Sequence, residues 1–392
     1  MNGQHLLLFF REMAAGVLQQ LIQLTVDLPD IRPPVEQVEQ VFAQGDEFGV
    51  VAVHEAEGDL WVVQHVFPFW QGHLRGVRLY NPRPMQILRG LHSTDFRPLA
   101  VTVGNFDGVH LGHRQMLKEL CQVARTRGLQ SAVVTFEPHP REFFAQQQAP
   151  ARLTSLREKL ELFRGMGVDR VYVCPFDAAF AQKSAEDFIH VLADTLCAGY
   201  VLIGDDFRFG SGRGGDFALM QAAGAQRGFE VSAMHSVMYD GVRVSSTAIR
   251  TALAAGKLDI ARDYLGRPYS ISGRVVHGDK TGRKLGYPTA NVQMKRTLPP
   301  LRGVYVVQVH SDGIGVLQGV ASLGLRPTLK HDAKYVLEVH LFEFAQQIYG
   351  KHLRVEFLHK LRDEMKFDGL EALTRQIASD VNNAKQWFID HE

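Results

Sequence analysis

The sequence predicts an α/β module built on a parallel sheet, followed by a small antiparallel β-barrel that ends in a helix. Three observations carry this. Between residues 99 and 265, short apolar runs alternate with stretches of helical periodicity. A break follows at Gly266-Arg267-Pro268. Beyond it the signals are strand after strand until the last segment turns helical.

The elements run as follows. Leu99–Val103 is apolar and ends in Gly104-Asn105-Phe106-Asp107-Gly108, which reads as a buried strand entering a tight loop. Met116, Leu117, Leu120, Val123 and Ala124 keep helical spacing, closed by Gly128. A strand is expected at 131–136, a helix at 155–166 and a strand at 170–173. Ser184 and Asp187 form a capping box that opens a helix to about Leu196. Strands at 200–203 and 229–233, then helices at 247–255 and 258–265, complete the alternation. After the break, segments 270–276, 304–310, 315–322, 335–342 and 353–358 alternate or carry β-branched runs. Asp312-Gly313 marks a hairpin between two of them. Leu370, Leu373, Ile377 and Val381 fall on one face of a C-terminal helix.

Residues 1–84 differ from everything after them. They hold five Arg and no Lys against ten Asp plus Glu, a formal charge of −5, while the remainder carries +6. The first lysine is Lys118. A helix around Met13–Leu24 and a strand around 60–66 are expected there, with six prolines interrupting the rest. Two readings stand: an added docking or regulatory region, or poorly ordered sequence translated upstream of a start at Met85. The expected division is thus 1–84, 85–266 and 267–392.

Composition excludes several classes. The 392 residues carry 43 Lys plus Arg and 42 Asp plus Glu, so no global field points to nucleic acid or an anionic membrane. Three cysteines without CxxC spacing disfavour a disulfide scaffold or a zinc ribbon and point to a reducing compartment. The apolar run Leu6–Phe10 is far below the ~18–20 residues of a spanning helix. A soluble cytoplasmic protein, a monomer or weak homo-oligomer with small-molecule substrates, is expected.

The first chemical cluster is Gly104-Asn105-Phe106-Asp107-Gly108-Val109-His110-Leu111-Gly112-His113. Gly104 and Gly108 let backbone approach a ligand closely. The helix that follows points its free N–H groups at the strand's carboxyl edge, where an α/β sheet holds phosphate. His110 and His113 share one side of the first turn and are suited to charge developing on an α-phosphate and a pyrophosphate leaving group. Ser245, Ser246 and Thr247 precede a helix and can cap it or reach phosphate oxygens. Arg250 follows on the same face, as a phosphate clamp or as an exposed arginine. Asp206, Phe207 and Phe209 suit a ribose or base edge and a flat ring, or else the two phenylalanines are core. Phe136 is open in the same way, and His139 sits between two prolines with its role undecided.

This string resembles the HxGH signature of the nucleotidyltransferases, which have a Rossmann-like parallel sheet. More narrowly, it resembles the adenylyltransferase module of bacterial bifunctional riboflavin kinase/FAD synthetases. Thr135–Pro140 (TFEPHP), Gly204–Gly210 (GDDFRFG) and Arg243–Arg250 (RVSSTAIR) are similar to that family's segments in order and spacing. Downstream, Gly278 and Gly282-Arg283-Lys284-Leu285-Gly286-Tyr287-Pro288-Thr289-Ala290-Asn291 resemble the riboflavin kinase signature GRxLGxPTAN. Gly278, Gly282 and Gly286 can expose N–H groups to the phosphates of ATP. Thr289 and Asn291 alternate along an extended segment and offer the hard oxygens that Mg²⁺ accepts. The chain has no GxxxxGK[ST]. Glu338, in Leu337-Glu338-Val339-His340-Leu341, matches the family's base that takes the riboflavin 5′-hydroxyl proton. Arg326 and Arg362 lie in segments that resemble flavin-side loops. Ala321-Ser322-Leu323-Gly324 departs from the family's usual ANIG, which puts an Asn-dependent contact there in doubt.

The resemblance runs from about Met85 to the C-terminus and implies two ATP-dependent reactions on one chain. Riboflavin is phosphorylated to FMN in the barrel, and FMN is adenylylated to FAD in the α/β module, with Mg²⁺ as cofactor. Two rivals are an enzyme with one live site and a flavin-binding regulator or nucleic-acid binder on the same folds. Intact His110, His113, Asn291 and Glu338 argue against the first, and the near-neutral charge against a nucleic-acid binder.

Overall fold

The computed structural model describes residues 51–56, 59–64, 84–92, 97–145, 148–278, 281–296, 298–311, 313–326 and 334–391. The chain divides into two compact units, Met1–Arg83 and Pro84–Glu392. In the first, β1 (Val51–Ala56) pairs antiparallel with β2 (Asp59–Gln64), so the strand expected at 60–66 is seen over Asp59–Gln64. The helix expected at Met13–Leu24 lies outside the described residues.

In the second unit, β3 (Gln86–Arg89), β4 (Leu99–Val103), β5 (Gln130–Phe136), β6 (Arg170–Cys174), β7 (Ala198–Gly204) and β8 (Glu230–Met234) form one sheet. Its order is β3-β6-β5-β4-β7-β8, and every pairing is parallel. Every residue of β4 and β6 is buried, as their apolar runs require when helices cover both faces. Helix Leu111–Thr126 lays Leu117, Leu120, Cys121 and Ala124 on one face of the sheet. Helix Ala185–His190, opened by the expected Ser184–Asp187 capping box, continues through a π-helical turn Val191–Thr195 and packs on the other face. Strand β3 was not legible in the sequence: it is an edge strand with three of its four residues exposed.

A short ribbon, β9 (Met238–Tyr239) with β10 (Val242–Arg243), precedes helices Ser246–Ala254 and Leu258–Leu265. Beyond Gly266, six strands close into an antiparallel barrel. They are β11 (Tyr269–Val276), β12 (Ala290–Met294), β13 (Gly303–Ser311), β14 (Gly315–Arg326), β15 (Lys334–Leu341) and β16 (His352–Arg362). The order around it is β11-β12-β15-β14-β13-β16. Closure leaves no edge strand exposed for association. Helix Leu370–Asp390 lies on β13, β14 and β16. Its buried face is Val381, Ala384 and Phe388 with Asp380, while Leu370, expected on the apolar face, is exposed. Its fully buried residues all lie from Asp380 on, while Leu373 and Ile377 are half-buried.

The break at Gly266 is a helix terminus, with Gly266 in the left-handed conformation (φ 66°). It is not a gap in the core. Ile249, Leu253, Leu258 and Leu265 belong to the same buried cluster as Ile271, Tyr305, Leu337 and Phe357 of the barrel. Polar contacts cross the same seam. Glu158, which caps helix Leu156–Gly165 through Ser155, also accepts hydrogen bonds from the backbone N–H (2.6 Å) and hydroxyl (3.0 Å) of Ser272 and pairs with Arg296. Arg296 donates to the Leu153 carbonyl (2.9 Å) and the Tyr269 hydroxyl (2.6 Å), and Tyr269 donates to the same carbonyl (3.1 Å).

Breaking this pair one-sidedly leaves a buried charge without its partner. Arg296→Met is therefore expected to lower unfolding free energy by about 3–5 kcal/mol. The double variant Arg296→Met with Glu158→Gln should lose less, because no net charge is stranded. Urea denaturation of the three proteins checks this; a single variant within about 1 kcal/mol of the parent would contradict a structural role for the pair.

Candidate functional site

Strands β4 and β7 are neighbours from which the chain departs to opposite sides of the sheet, so their carboxyl ends flank a topological switch point. A cavity of about 820 Å³ opens there. Gly104, Asp107, His110, His113, Phe136, Asp206, Phe207, Phe209, Ser245, Ser246, Thr247 and Arg250 all line it, which gathers residues up to 146 positions apart. Of the string Gly104 to His113, Gly108, Val109 and Leu111 are off the wall.

Its floor is a strained loop. Phe106 (φ 49°), Gly108 (φ 89°) and Val109 (φ 42°) all occupy the left-handed region. For a β-branched residue such as Val109 this is a genuine outlier. Gly108 is required twice over, by its φ and because a Cβ would stand 2.8 Å from the Leu153 side chain. The surroundings hold the loop from several directions. The buried Asp107 carboxylate accepts from the backbone N–H groups of Leu153 (3.1 Å) and Thr154 (2.9 Å), from the Thr154 hydroxyl, and from Arg250. Ser246 donates its hydroxyl to the Asp107 carbonyl at 2.8 Å. Lys159, itself buried, donates to the Asn105 carbonyl at 3.1 Å. Burial pushes the Lys159 ammonium below its ordinary range, opposed by Asp107. The arginine thus holds Asp107 negative; its carboxyl lies below the usual range although burial opposes that.

The two imidazoles stack 3.7 Å apart at 18°. His110 is the N-cap of helix Leu111–Thr126, and its Nδ1 accepts the backbone N–H of His113. A ring nitrogen that accepts carries no hydrogen, so in the neutral ring the proton is on Nε2. Burial is the first cause that depresses His110, to about 4; Asp107 opposes it, and Arg267, Arg243 and Arg250 reinforce it. His113 is held well below its ordinary value by burial and by His110. Both rings are neutral donors near pH 7. Asn105 Oδ1 and His113 Nδ1 are buried polar atoms without a protein partner. His139 caps helix Pro140–Phe144, its Nδ1 accepting from Arg141, and burial depresses it to about 4 as well.

On the far wall Ser245 is the N-cap of helix Ser246–Ala254, with Ser246 and Thr247 in its first turn. Arg250 donates to the Ala151 carbonyl (2.6 Å) besides Asp107. Asp206 pairs with Arg243, both on the exposed rim. Phe209 is core, whereas Phe207 stacks on it at 5.6 Å and is only half-buried. From there a run of ring contacts passes through Phe188 and Phe180 to Phe136 and Phe176.

The second group assembles on the barrel's outer face. Val292 faces Leu337 in the core, so the adjacent cross-strand pair, Asn291 on β12 and Glu338 on β15, faces outward. Gly278 lies against the Asn291 amide; a Cβ there would come within 2.3 Å of it. Gly282, in the turn of helix Thr281–Lys284, abuts the Tyr287 carbonyl and the Thr289 side chain, and Gly286 has φ 88°. His340, two residues beyond Glu338 and on its face, places Nδ1 2.9 Å from the Pro288 carbonyl. The carbonyl only accepts, so Nδ1 carries the hydrogen, and the loop before Thr289 is tied to the strand of Glu338. Arg326 ends β14 opposite Lys334. Arg362 forks onto Asp380 of the C-terminal helix (3.0 and 2.7 Å) and covers the Phe367 ring.

Sequence reasoning missed His340, Lys159, Arg152, Arg267, Phe176 and Phe180. The period of two from Glu338 was a usable signal for His340. Arg152, which bridges Glu137 and Glu142 of the Thr135–Pro140 segment and the helix after it, had none.

Comparison with known proteins follows the same division. The family model described as FAD synthetase matches residues 92–248, and the one described as riboflavin kinase matches 265–388. The bifunctional riboflavin kinase/FMN adenylyltransferase of Haemophilus influenzae is 47% identical over 307 residues, 78% of this chain and 99% of that protein. The proteins of the same description from Escherichia coli K12 and Pseudomonas fluorescens are 46% and 48% identical, covering 78% and 77% of this chain and 98% and 97% of theirs. A Streptococcus pneumoniae crystal structure described as a macrolide-efflux protein superposes with a TM-score of 0.65 at 29% identity, covering 76% of this chain and 97% of its own. Among the described residues, no helix is long and apolar enough to cross a membrane.

The buried His110 imidazole has a consequence for stability. Unfolded, His110 titrates near 6.5; folded, near 4, so the unfolded chain binds the extra proton between these values. Its contribution is complete above about pH 6.5 and is lost as pH falls toward 4. In His110→Gln, urea midpoints should decline less steeply between pH 7 and 5 than in the parent. Parallel curves would show that His110 does not titrate in this window.

Proposed function

The chain belongs to the bifunctional riboflavin kinase/FMN adenylyltransferase family, and from that premise we propose which of its residues carry each of its two reactions. Its activities are phosphorylation of riboflavin to FMN and adenylylation of FMN to FAD, with ATP as the second substrate of both. We assign the adenylylation to residues 85–266 and the phosphorylation to 267–392.

The observation that carries the first assignment is the neutral histidine pair at the N-terminus of helix Leu111–Thr126, on the wall of the switch-point cavity. The FMN phosphate oxygen attacks the α-phosphorus of ATP, and pyrophosphate leaves. The nucleophile is already an anion, so no protein base is needed. Charge grows instead on the α-phosphate and the leaving group. The His110 and His113 N–H donors, the helix N-terminus and the Ser245, Ser246 and Thr247 wall stabilise it there. Arg250 adds its cation to that wall while holding Asp107. Asp107 acts through the loop it fixes, since a carboxylate facing phosphate would repel it. Phe207, with Phe136 across the cavity, offers ring faces to the isoalloxazine, and Asp206 its carboxylate to a ribose.

In the barrel the nucleophile is a neutral hydroxyl, and a base is needed. Glu338 takes the proton of the riboflavin 5′-hydroxyl as that oxygen attacks the γ-phosphorus and ADP leaves. Thr289 and Asn291, against which Gly278 and Gly282 let the backbone pack closely, offer the hard oxygen donors that suit Mg²⁺, and they would hold it. Bound there with ATP, Mg²⁺ supplies neutralisation of phosphate charge. Gly278, Gly282 and Gly286 keep backbone close to the ATP phosphates, and Arg326 and Arg362 lie on the flavin side. We read the protein as cytoplasmic and as a monomer or weak homo-oligomer; sedimentation velocity decides the last point.

Incubation with riboflavin, ATP and Mg²⁺, followed by chromatography of the flavins, should show FMN and then FAD. Glu338→Gln should abolish FMN formation and leave conversion of supplied FMN to FAD intact; equal loss of both would refute two separate sites. His110→Ala and His113→Ala should each slow FAD formation by about 10²–10³-fold, so that FMN accumulates. Undiminished FAD synthesis in both would leave the histidines a structural role only.

Residues 1–84 lie outside both assignments. The curated relatives align to 78% of this chain while almost their full length is used. A protein beginning at Met85 is expected to match the full chain in both rates and in thermal midpoint. A large fall in either rate would make the segment part of the enzyme.

A further inference from the structure

The loop that carries His110 has two backbone carbonyls that its own helix does not satisfy. Gly108 and Val109 precede the helix, both are buried, and Val109 is held in a left-handed conformation that its branched side chain disfavours. The partner of both carbonyls comes from beyond the adenylyltransferase module. Arg267, two residues before the first barrel strand, donates Nη2 to the Gly108 carbonyl at 2.7 Å and Nη1 to the Val109 carbonyl at 3.0 Å. A third bond, to the Leu265 carbonyl at 3.2 Å, fixes the guanidinium to the end of the preceding helix. Arg114, from the catalytic helix itself, closes the joint from the other side by donating to the Gly266 carbonyl at 2.9 Å.

We propose that Arg267 is a positioning residue for adenylyl transfer: its fork grips the two carbonyls before His110 and so sets where that imidazole stands in the cavity. The proposal rests on the assignment of adenylylation to the histidine pair. The geometry favours arginine specifically. Two carbonyls of successive residues need two N–H donors at fixed separation, which a planar guanidinium provides and an ammonium does not. Arg267 touches no reacting atom; it acts through the Gly108–Val109 peptide on the residue that follows. Further along the barrel sequence, Tyr269 and Arg296 both bind the Leu153 carbonyl behind the same loop. The kinase module thus supplies part of the adenylyltransferase site's support.

The test uses the full chain with Arg267→Met and Arg267→Lys, assayed separately for FMN formation from riboflavin and FAD formation from FMN. In Arg267→Met, the kcat of FAD formation should fall about 10²-fold, the loss expected when a reacting group shifts by about 1 Å. The KM for FMN and ATP should stay near the parent's. Arg267→Lys should lie between the two. The riboflavin kinase rate, which reports an intact barrel, should not change. An unchanged kcat for FAD formation in Arg267→Met overturns the proposal. So does a parallel fall of both activities with the thermal midpoint, which would make Arg267 a general fold contact. His110→Ala run alongside separates the premises. If it keeps FAD synthesis, the histidine assignment fails and this proposal with it. If it is slow while Arg267→Met is not, only the role of Arg267 is refuted.

Discussion

The Asp107 carboxylate is the contact on which the first site depends. It is almost fully buried and accepts from two consecutive backbone N–H groups, a hydroxyl and an arginine. These partners come from two places outside the loop: the segment before helix Leu156–Gly165, and helix Ser246–Ala254. One carboxylate therefore brings the histidine loop and the serine-threonine wall to either side of a single cavity. The arrangement also explains the order of burial and charge. A lone buried carboxylate would be protonated or expelled, and Arg250 with the paired N–H groups prevents both. The strain at Phe106 and Val109 persists because this network over-determines the loop.

From Leu153 the same network runs on into the barrel. The Leu153 N–H serves Asp107, and its carbonyl serves Tyr269 and Arg296, which in turn meets Glu158. The segment 151–158 is thus the seam between the modules as well as the back of the first site. β12 ends two residues before Arg296 and carries Asn291 of the second site. Two reactions that use ATP differently are in this way built on one continuous body. In the assignment proposed above, the site with an anionic nucleophile is made of neutral donors, cations and a helix N-terminus. In the same assignment, the site with a neutral nucleophile is made of a carboxylate and hard oxygen donors.

Much of this was legible beforehand. The buried strands β4 and β6 show as unbroken apolar runs, because a sheet covered on both faces admits nothing else. Five of the six barrel strands show as alternating or β-branched runs, β12 only as an extended stretch around Thr289–Asn291, and helix Ala185–His190 shows through its capping box. Many of the residues around the switch-point cavity were legible one by one, since glycines before a helix and histidines in its first turn carry their chemistry locally; Phe176 and Phe180 on its wall were not. Strand β3 was not, because an exposed edge strand of four residues has no apolar period. The face of the C-terminal helix was half right, since periodicity names an apolar stripe and not the length over which a neighbour covers it.

By itself, the sequence determined the two fold classes, the order of the modules and the motifs that each carries, because hydrophobic period, turn chemistry and motif spacing are local. Only the tertiary structure decided that Asp107 and Arg250 hold each other, that His110 and His113 are neutral, and that Gly266 ends a helix without interrupting the core. It alone showed Arg267, Arg296 and Lys159 behind the loop that carries His110. Each of these follows from burial and from partners more than 50 residues away along the chain, and neither desolvation nor a long-range hydrogen bond leaves a mark in a local pattern.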